Sequence, residues 1–455
     1  MSAAVPQAGG EARPTASSRV MLWAFSVLSA CLSAGYGVLF TVVGDYRDRY
    51  GISELAIGWI IGIGFIAAFL AQLFIAPLGD RGHARILVLS GVAVNAAGLI
   101  MMGLGNDSLT LTLGRVVSGL AIGAANPAIR RIVVLSDPDN VGRNLGRLLS
   151  ADVAGFALGP AISAVLVGPF GLLAPFAAIA AISAVVLLVT MRVRVPEGAP
   201  EERQRLAVDL LRQRSFAGAV ILGATAFLMI GAFDALWDVV HVDLDTPVWM
   251  ANLGITLFAV PLIVFGPIGG KLAQDIGPFR VGAVGLTIGA AFMAVYGVLP
   301  TGTLIVAIAM GHAINDGFTF AATGVAVALT APPERQAGAQ GVLGAAQALA
   351  AGIMAVVTGA LYQWAGRATA YGVAAGVMVT LIAIAMVLAS DTWRRPGWQR
   401  KRLATYPSPA SPGRCPKRAR APWAATGRWP TASVASRAVA RCRRRGPWRW
   451  RSASP

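Results

Sequence analysis

The chain is predicted to be an all-α polytopic membrane protein, with twelve transmembrane helices arranged as two pseudo-symmetric six-helix bundles. Three observations predict this: long apolar segments recur down the sequence, the charged residues gather between them, and the second half repeats the polar punctuation of the first. Hydrophobic residues make up 56% of the 455 residues and charged residues 13%, about half the roughly 25% charge of soluble domains. Mean hydropathy is +0.66. A stretch of about 20 apolar residues crosses a hydrocarbon core of roughly 30 Å, and twelve such stretches occur, near 20–43, 55–78, 86–105, 109–129, 148–168, 171–191, 216–238, 248–269, 281–299, 303–330, 338–361 and 369–390.

The first of these is too long for a signal peptide and has no small-residue cleavage pattern after it, so it reads as a retained span. Orientation follows from the basic residues, which favour the cytoplasmic side. With the N-terminus inside, Arg47, Arg49 and Arg367 fall in outer loops, Arg115 falls within a span, and the other 17 basic residues before position 394 face the cytoplasm. Both termini are therefore expected in the cytoplasm, with the protein in the cell (inner) membrane.

Net charge separates at Trp393. Residues 1–393 carry 21 basic and 21 acidic residues, whereas residues 394–455 carry 17 basic residues and no acidic ones. The isoelectric point near 11.1 thus belongs to the tail and does not argue for nucleic-acid binding by the membrane part. The tail mixes Arg, Pro, Ala and Ser with five tryptophans. Three readings stay open for it: a polybasic segment on anionic lipid, a nucleic-acid contact, or a shifted reading frame in GC-rich DNA. Cys31 lies in the first span, and Cys415 and Cys442 lie in the tail, which gives neither a disulfide framework nor a metal spacing.

Residues 192–215 form the longest polar interval, with Pro196, Pro200 and ten charged residues. They divide an N-terminal tail (1–18) and a first bundle (19–191) from a second bundle (216–393), with the basic tail (394–455) beyond it. The halves match at an offset of about 196: Gly58 with Gly254, the Asp80 region with Asp275, Gly114-Arg115 with Gly311-His312, and Pro138–Gly146 with Pro333–Gly341. Two similar six-helix units able to rock about a site between them are a transporter arrangement.

Three motifs add to this. The loop after span 2 reads Ala76-Pro-Leu-Gly-Asp-Arg-Gly-His-Ala-Arg85, and its second-half copy reads Gly270-Lys-Leu-Ala-Gln-Asp-Ile-Gly277. Span 4 contains Arg115-Val-Val-Ser-Gly119. Span 5 contains Gly155-Phe-Ala-Leu-Gly159-Pro160-Ala-Ile-Ser163-Ala164. Together these resemble the signatures of the major facilitator superfamily, over residues 19–393. The loop resembles G-x-L-A-D-R-x-G-R-K, with Leu78, Asp80, Arg81 and Arg85 in place and Ala76, Gly79, His83 and Ala84 departing. The resemblance implies that Asp80, Arg81 and Arg85, with Asp275 in the second half, latch the cytoplasmic side, and a carboxylate is indeed favoured at a helix N-terminus. It also implies that Arg115 is associated with proton coupling, and that Gly155, Gly159 and Pro160 form a packing motif typical of the family's antiporters, with Ser163 and Ala164 replacing its final glycines.

Ionisable groups within a span are functional candidates because they are costly there. Asp316 falls near mid-bilayer in span 10, with His312 one turn before it on the same face. Burial disfavours a charged carboxylate, so proton loading near neutral pH becomes accessible. Asp234 and Asp238 form a second pair one turn apart, either in a cavity or at the outer rim. Asp152 reads as a residue at the start of span 5. Trp23, Trp59, Trp237, Trp249 and Trp364 fall near span ends, as an aromatic belt requires.

No Walker A motif is present: Gly269-Gly-Lys-Leu272 has Phe265 where the first glycine belongs. Nor is there a G-x-S-x-G elbow, and the loops are too short for a catalytic domain, so an enzyme is not expected. The expectation is a monomeric secondary transporter that uses the proton gradient and no cofactor to export a small amphipathic or apolar molecule. An importer or facilitator of the same fold, and a membrane sensor or scaffold that moves no solute, are the alternatives.

Overall fold

The computed structural model describes residues 16–192, 206–395 and 397–403. Most of the N-terminal tail, most of the polar linker and the tail beyond 403 lie outside the described residues. The rest is helical: α1 (Ala16–Tyr50), α2 (Glu54–Phe74), α3 (Ala84–Leu104), α4 (Ser108–Ser136), α5 (Val141–Phe170), α6 (Leu173–Thr190), α7 (Arg214–Asp243), α8 (Val248–Ile276), α9 (Pro278–Tyr296), α10 (Gly302–Thr330), α11 (Gln336–Leu388) and the short α12 (Ser390–Trp393) and α13 (Trp398–Leu403). Eleven helices among the described residues are long and apolar enough to cross a membrane. The last, α11, has 53 residues but is interrupted at Gly366, where φ is 79° and ψ 173°. It therefore supplies two crossings, and the count is twelve.

Local chemistry sets the ends. Asp107 caps α4 by accepting from the Leu109 and Thr110 N–H groups, and Thr301 caps α10 by accepting from that of Leu304; both satisfy donors that a helix start leaves orphaned. Glycines with positive φ mark corresponding breaks. Gly82 and Gly277 follow the second crossing of each half, while Gly171 and Gly366 divide its last two. The members of each pair stand 195 positions apart, so the duplication read from the sequence is present in the backbone.

Helices in lipid gain little from apolar contact and associate through close packing of small residues. In the first bundle Gly119 and Gly123 of α4 lie against Gly64 and Ala68 of α2, and Gly98 of α3 lies against Gly114 and Ser118 of α4. In the second, Gly231 of α7 meets Ala351 of α11, Gly269 of α8 meets Phe318 of α10, and Gly285 of α9 meets Thr319. The bundles touch each other at their arginine-rich end. There Gly142 and Gly146 of α5 abut Gly270 and Gly266 of α8, and Gly341 of α11 abuts Gln72 of α2.

Gly155 and Gly159 pack on Ala30 and Gly37 of α1, so the span 5 motif makes a contact within the first bundle. Several expectations change. Asp152 does not start a helix: α5 begins at Val141, and Asp152 pairs with Arg130 at 3.8 Å while accepting from the Ser29 hydroxyl. Trp237 is no belt residue. It is 1% exposed, and its Nε1–H donates to the Ala251 carbonyl at 3.2 Å. Trp23, Trp59, Trp249 and Trp364 are exposed, as anchors should be. The fold also continues past Trp393. Trp398 packs on Phe279 with ring centroids 6.2 Å apart, and the Gln399 amide donates to the Asp275 carbonyl at 3.3 Å.

A side chain at Gly159 would meet the Gly37 backbone at 2.6 Å, whereas nothing lies within 4 Å of one at Gly168. Gly159→Leu is expected to destabilise the first bundle by at least about 1–3 kcal/mol, the usual cost of overpacking, and Gly168→Leu to be neutral. Thermal unfolding of the detergent-solubilised protein compares the two.

Candidate functional site

Three polar constellations lie within or against the spans. The first joins the bundles. Asp80 follows α2 on a 3-10 turn, Ala76–Arg81, that Gly82 ends in the left-handed region at φ 85°. Its side chain accepts from the Ala337 N–H at 2.8 Å and the Gly338 N–H at 2.7 Å, at the first turn of α11 in the other half. Arg131 of α4 donates to the same carboxylate through Nε at 3.0 Å. Both side chains are at most 2% exposed, so a helix start and a buried ion pair share one acceptor. Of the other expected latch residues, Arg85 donates to the Met191 carbonyl within its own half, and Arg81 is exposed at the surface.

Asp275 does not mirror Asp80. It is exposed, and the corresponding contact belongs to its neighbour. The Gln274 Oε1 accepts from the Gly142 N–H at 2.6 Å, and its Nε2 donates to the Asp139 carbonyl at 2.6 Å. Gly142 precedes Ala337 by 195 positions, the repeat of the fold, so each half reaches the helix start of the other. The signal was present in the sequence. With Gly270, Leu272, Ala273 and Gly277 aligned to the motif, Gln274 falls on its aspartate position, and following the charge instead of the register missed it.

The second constellation surrounds Arg115, on α4 and 0% exposed. Its guanidinium carbon lies 3.8 Å from the Tyr36 ring centroid and 5.6 Å from that of Phe65. Its Nε and Nη2 are buried without hydrogen-bond partners. Stacking on aromatic faces contributes about 0.5–2 kcal/mol, while an uncompensated buried charge costs several, so the stack alone does not balance this group.

The third is His312 and Asp316 on α10, 1% and 2% exposed. The nearest His312 Nε2 and Asp316 Oδ2 atoms stand 3.5 Å apart, without hydrogen-bond geometry, since Nε2 has no hydrogen-bond partner. The Tyr296 hydroxyl and His312 Nδ1 are 3.0 Å apart, and the His312 ring stacks on Phe292 at 4.9 Å. Asn315 donates to Asp316 at 3.3 Å and to the Gly285 carbonyl at 3.0 Å. The pair is thus held inside the second bundle against α9. His312 is not the counterpart of Arg115. Helices α4 and α10 each have 29 residues, and counting from their caps sets Ala309 opposite Arg115 and Ser118 opposite His312. Ser118 likewise turns to its neighbour α3, donating to Asn95 at 2.6 Å.

Asp234 and Asp238 lie on the exposed side of α7, opposite the side that buries Phe233, Leu236 and Trp237. The structure does not bring them together with the His312 pair. His241 is 2% exposed, with Nδ1 2.8 Å from the Trp237 carbonyl.

Two six-helix halves, sealed to each other at one end by mutual helix-start contacts and holding ionisable groups at mid-span, form the architecture of a rocking carrier. The model of the Major Facilitator Superfamily matches residues 25–245 and again residues 216–442. The chain belongs to this superfamily. It is a multi-pass membrane protein. Among curated relatives, YuxJ of Bacillus subtilis, described as an uncharacterized MFS-type transporter, is 30% identical over 115 residues, covering 25% of this chain and 29% of the relative. The multidrug resistance protein MdtH of Yersinia pestis is 26% identical over 130 residues, covering 28% and 32%. The aligned segments thus span about a third of those relatives. In fold the chain is similar to the human organic anion transporter MFSD10 (TM-score 0.69, 14% identity, 81% of this chain and 99% of that one). It is also similar to FucP in its outward conformation (TM-score 0.66, 15% identity, 82% and 99%).

Removing the Asp80 carboxylate forfeits two charge-assisted bonds across the seam, from the Ala337 and Gly338 N–H groups, of about 1.5–3 kcal/mol each, whereas removing Gln274 forfeits neutral bonds of about 1 kcal/mol each. Asp80→Ala is therefore expected to part the sealed ends more than Gln274→Ala. Electron–electron distance measurements between spin labels at His83→Cys and Glu334→Cys, in a background without Cys31, Cys415 and Cys442, read the difference directly.

Proposed function

We propose that the protein works by alternating access in the cell membrane, with its arginine-rich end and both termini in the cytoplasm, and that it exports a small amphipathic compound in exchange for protons. One observation carries this reading: Asp316 is buried at the middle of α10 with a histidine and an amide as its polar neighbours and no arginine or lysine within 4 Å among the described residues. A carboxyl group in such a place exchanges a proton when its surroundings pass between wet and dry. The bias toward the cytoplasm-closed arrangement would then depend on whether that proton is bound, because a ligand shifts an equilibrium only by its differential affinity for the two states.

Export is favoured over uptake by the glycine-proline motif of α5 and by the likeness to the multidrug resistance proteins MdtH. In this reading Arg115 and His312 modulate the two states, and Asp234, exposed on α7 one turn from Asp238, lies on the path to the outside. The seal of Asp80 and Gln274 closes the cytoplasmic end while the outer end is loaded or emptied.

Cells that lack the protein and cells that overproduce it are compared for small molecules inside and in the medium. A compound retained on loss and shed on overproduction supports export, whereas one depleted inside on loss identifies an importer. In proteoliposomes, Asp316→Asn is expected to lose at least about tenfold of the movement driven by a pH gradient, equivalent to ~1.4 kcal/mol of coupling, while keeping substrate exchange at equal pH. Undiminished gradient-driven transport by Asp316→Asn removes that residue from the coupling role.

A further inference from the structure

We propose that Arg115 is the anchor of a substrate-binding subsite for a monovalent organic anion, a carboxylate on an aromatic or amphipathic body. This rests on the transporter reading only in treating the ligand as cargo, and it narrows the cargo to one charge class.

The inference starts from a missing partner. A guanidinium carries a positive charge and five N–H donors, and Arg115 holds both away from water. It is 0% exposed, and two of its three nitrogens have no hydrogen-bond partner. No carboxylate stands within 4 Å of it among the described residues, and several of those in the same half are engaged elsewhere. Asp80 is bound to Arg131, Asp152 pairs with Arg130, Asp107 caps α4, and Asp137 accepts from Asn140. By contrast, the other buried arginine of α4, Arg131, has its carboxylate.

The surroundings are also shaped to keep the guanidinium where it is. Gly64 on α2 leaves the space it occupies, since a methyl group there would stand 2.7 Å from its Cζ and 2.8 Å from its Cγ. Tyr36 on α1 and Phe65 on α2 cover it, with ring centroids 5.5 Å apart. These two rings are the thin side of the enclosure, because Phe65 is exposed and Tyr36 half-buried. Arg115 is the eighth residue of α4, roughly 10 Å from the helix start at 1.5 Å per residue, and hence toward the end of the bundle away from the Asp80 seal. A carboxylate that displaces the Tyr36 ring would meet a planar donor fork suited to two-point contact, while the aromatic pair holds its apolar body.

The test uses the purified full-length protein in detergent and three probes of one shape: benzoate, benzylammonium and benzyl alcohol. Each is titrated at constant ionic strength, with the thermal midpoint as readout, since a ligand that binds the folded state raises it with concentration. Benzoate is expected to raise the midpoint more than the other two. Arg115→Gln should weaken the benzoate response about ten- to hundredfold in concentration, as the loss of charged hydrogen bonds implies, and Arg115→Lys should restore part of it. If Arg115→Gln does not fold, Tyr36→Leu, which uncovers the guanidinium, should strengthen benzoate over benzyl alcohol. A benzoate response no larger than that of benzyl alcohol overturns the proposal, as does a preference for benzylammonium or a response that survives Arg115→Gln. None of these readouts requires a gradient, so the proton-driven export reading stands or falls separately.

Discussion

A carboxylate shared between a buried guanidinium and the first N–H groups of a helix in the other half is the contact on which the observed state depends. Asp80 is bonded to Arg131 within its own bundle and to Ala337 and Gly338 across the seam. A bundle interface in lipid has little hydrophobic drive behind it, so a few polar bonds and some glycine contacts decide whether the ends stay together. Such an interface holds firmly enough to be a state and weakly enough to be left. Rocking needs both properties.

The duplication supplies this contact twice but not with the same chemistry. Gln274 occupies the position of Asp80 and reaches Gly142 as Asp80 reaches Ala337. Parting at Gln274 breaks neutral bonds to Gly142 and Asp139, whereas parting at Asp80 breaks two charge-assisted bonds to the start of α11 while Arg131 keeps its partner. Opening at the arginine-rich end is therefore asymmetric in energy although the backbone is nearly symmetric. The same contrast recurs at depth, where the first half holds Ser118 and the second holds His312 at matching positions of α4 and α10.

Much of the fold was legible in the sequence because the bilayer imposes one rule, that backbone polar groups be satisfied within each segment. Runs such as 216–238 and 281–299 had only helices open to them. The duplication was legible through its turns, since Gly82, Gly171, Gly277 and Gly366 adopt the positive φ that glycine favours. Side-chain direction was not legible. Pairing Arg115 with His312 came from aligning apolar text, in which a shift of two or three residues leaves the pattern intact, and the caps at Asp107 and Thr301 give the register that the apolar residues do not. Trp237 failed for a related reason: position along a span says how deep a residue lies, but rotation about the axis says what it touches. Asp152 failed at a boundary, because α5 begins at Val141, before the apolar run does.

The two halves finally differ in the kind of charge that they bury. Arg115 in the first carries a charge that no proton can remove, and Asp316 in the second can exist neutral or charged. A permanent cation without a counter-charge is relieved by an arriving anion, while a carboxyl group is relieved by an arriving proton. Each half thus holds one group whose burial is costly until a small partner reaches it. In the proposed reading the partners differ in sign and the two bundles move against each other. Occupancy of one site would then change the cost of the bundle arrangement in which the other is dry, which is the thermodynamic requirement for coupling two solutes through one conformational equilibrium.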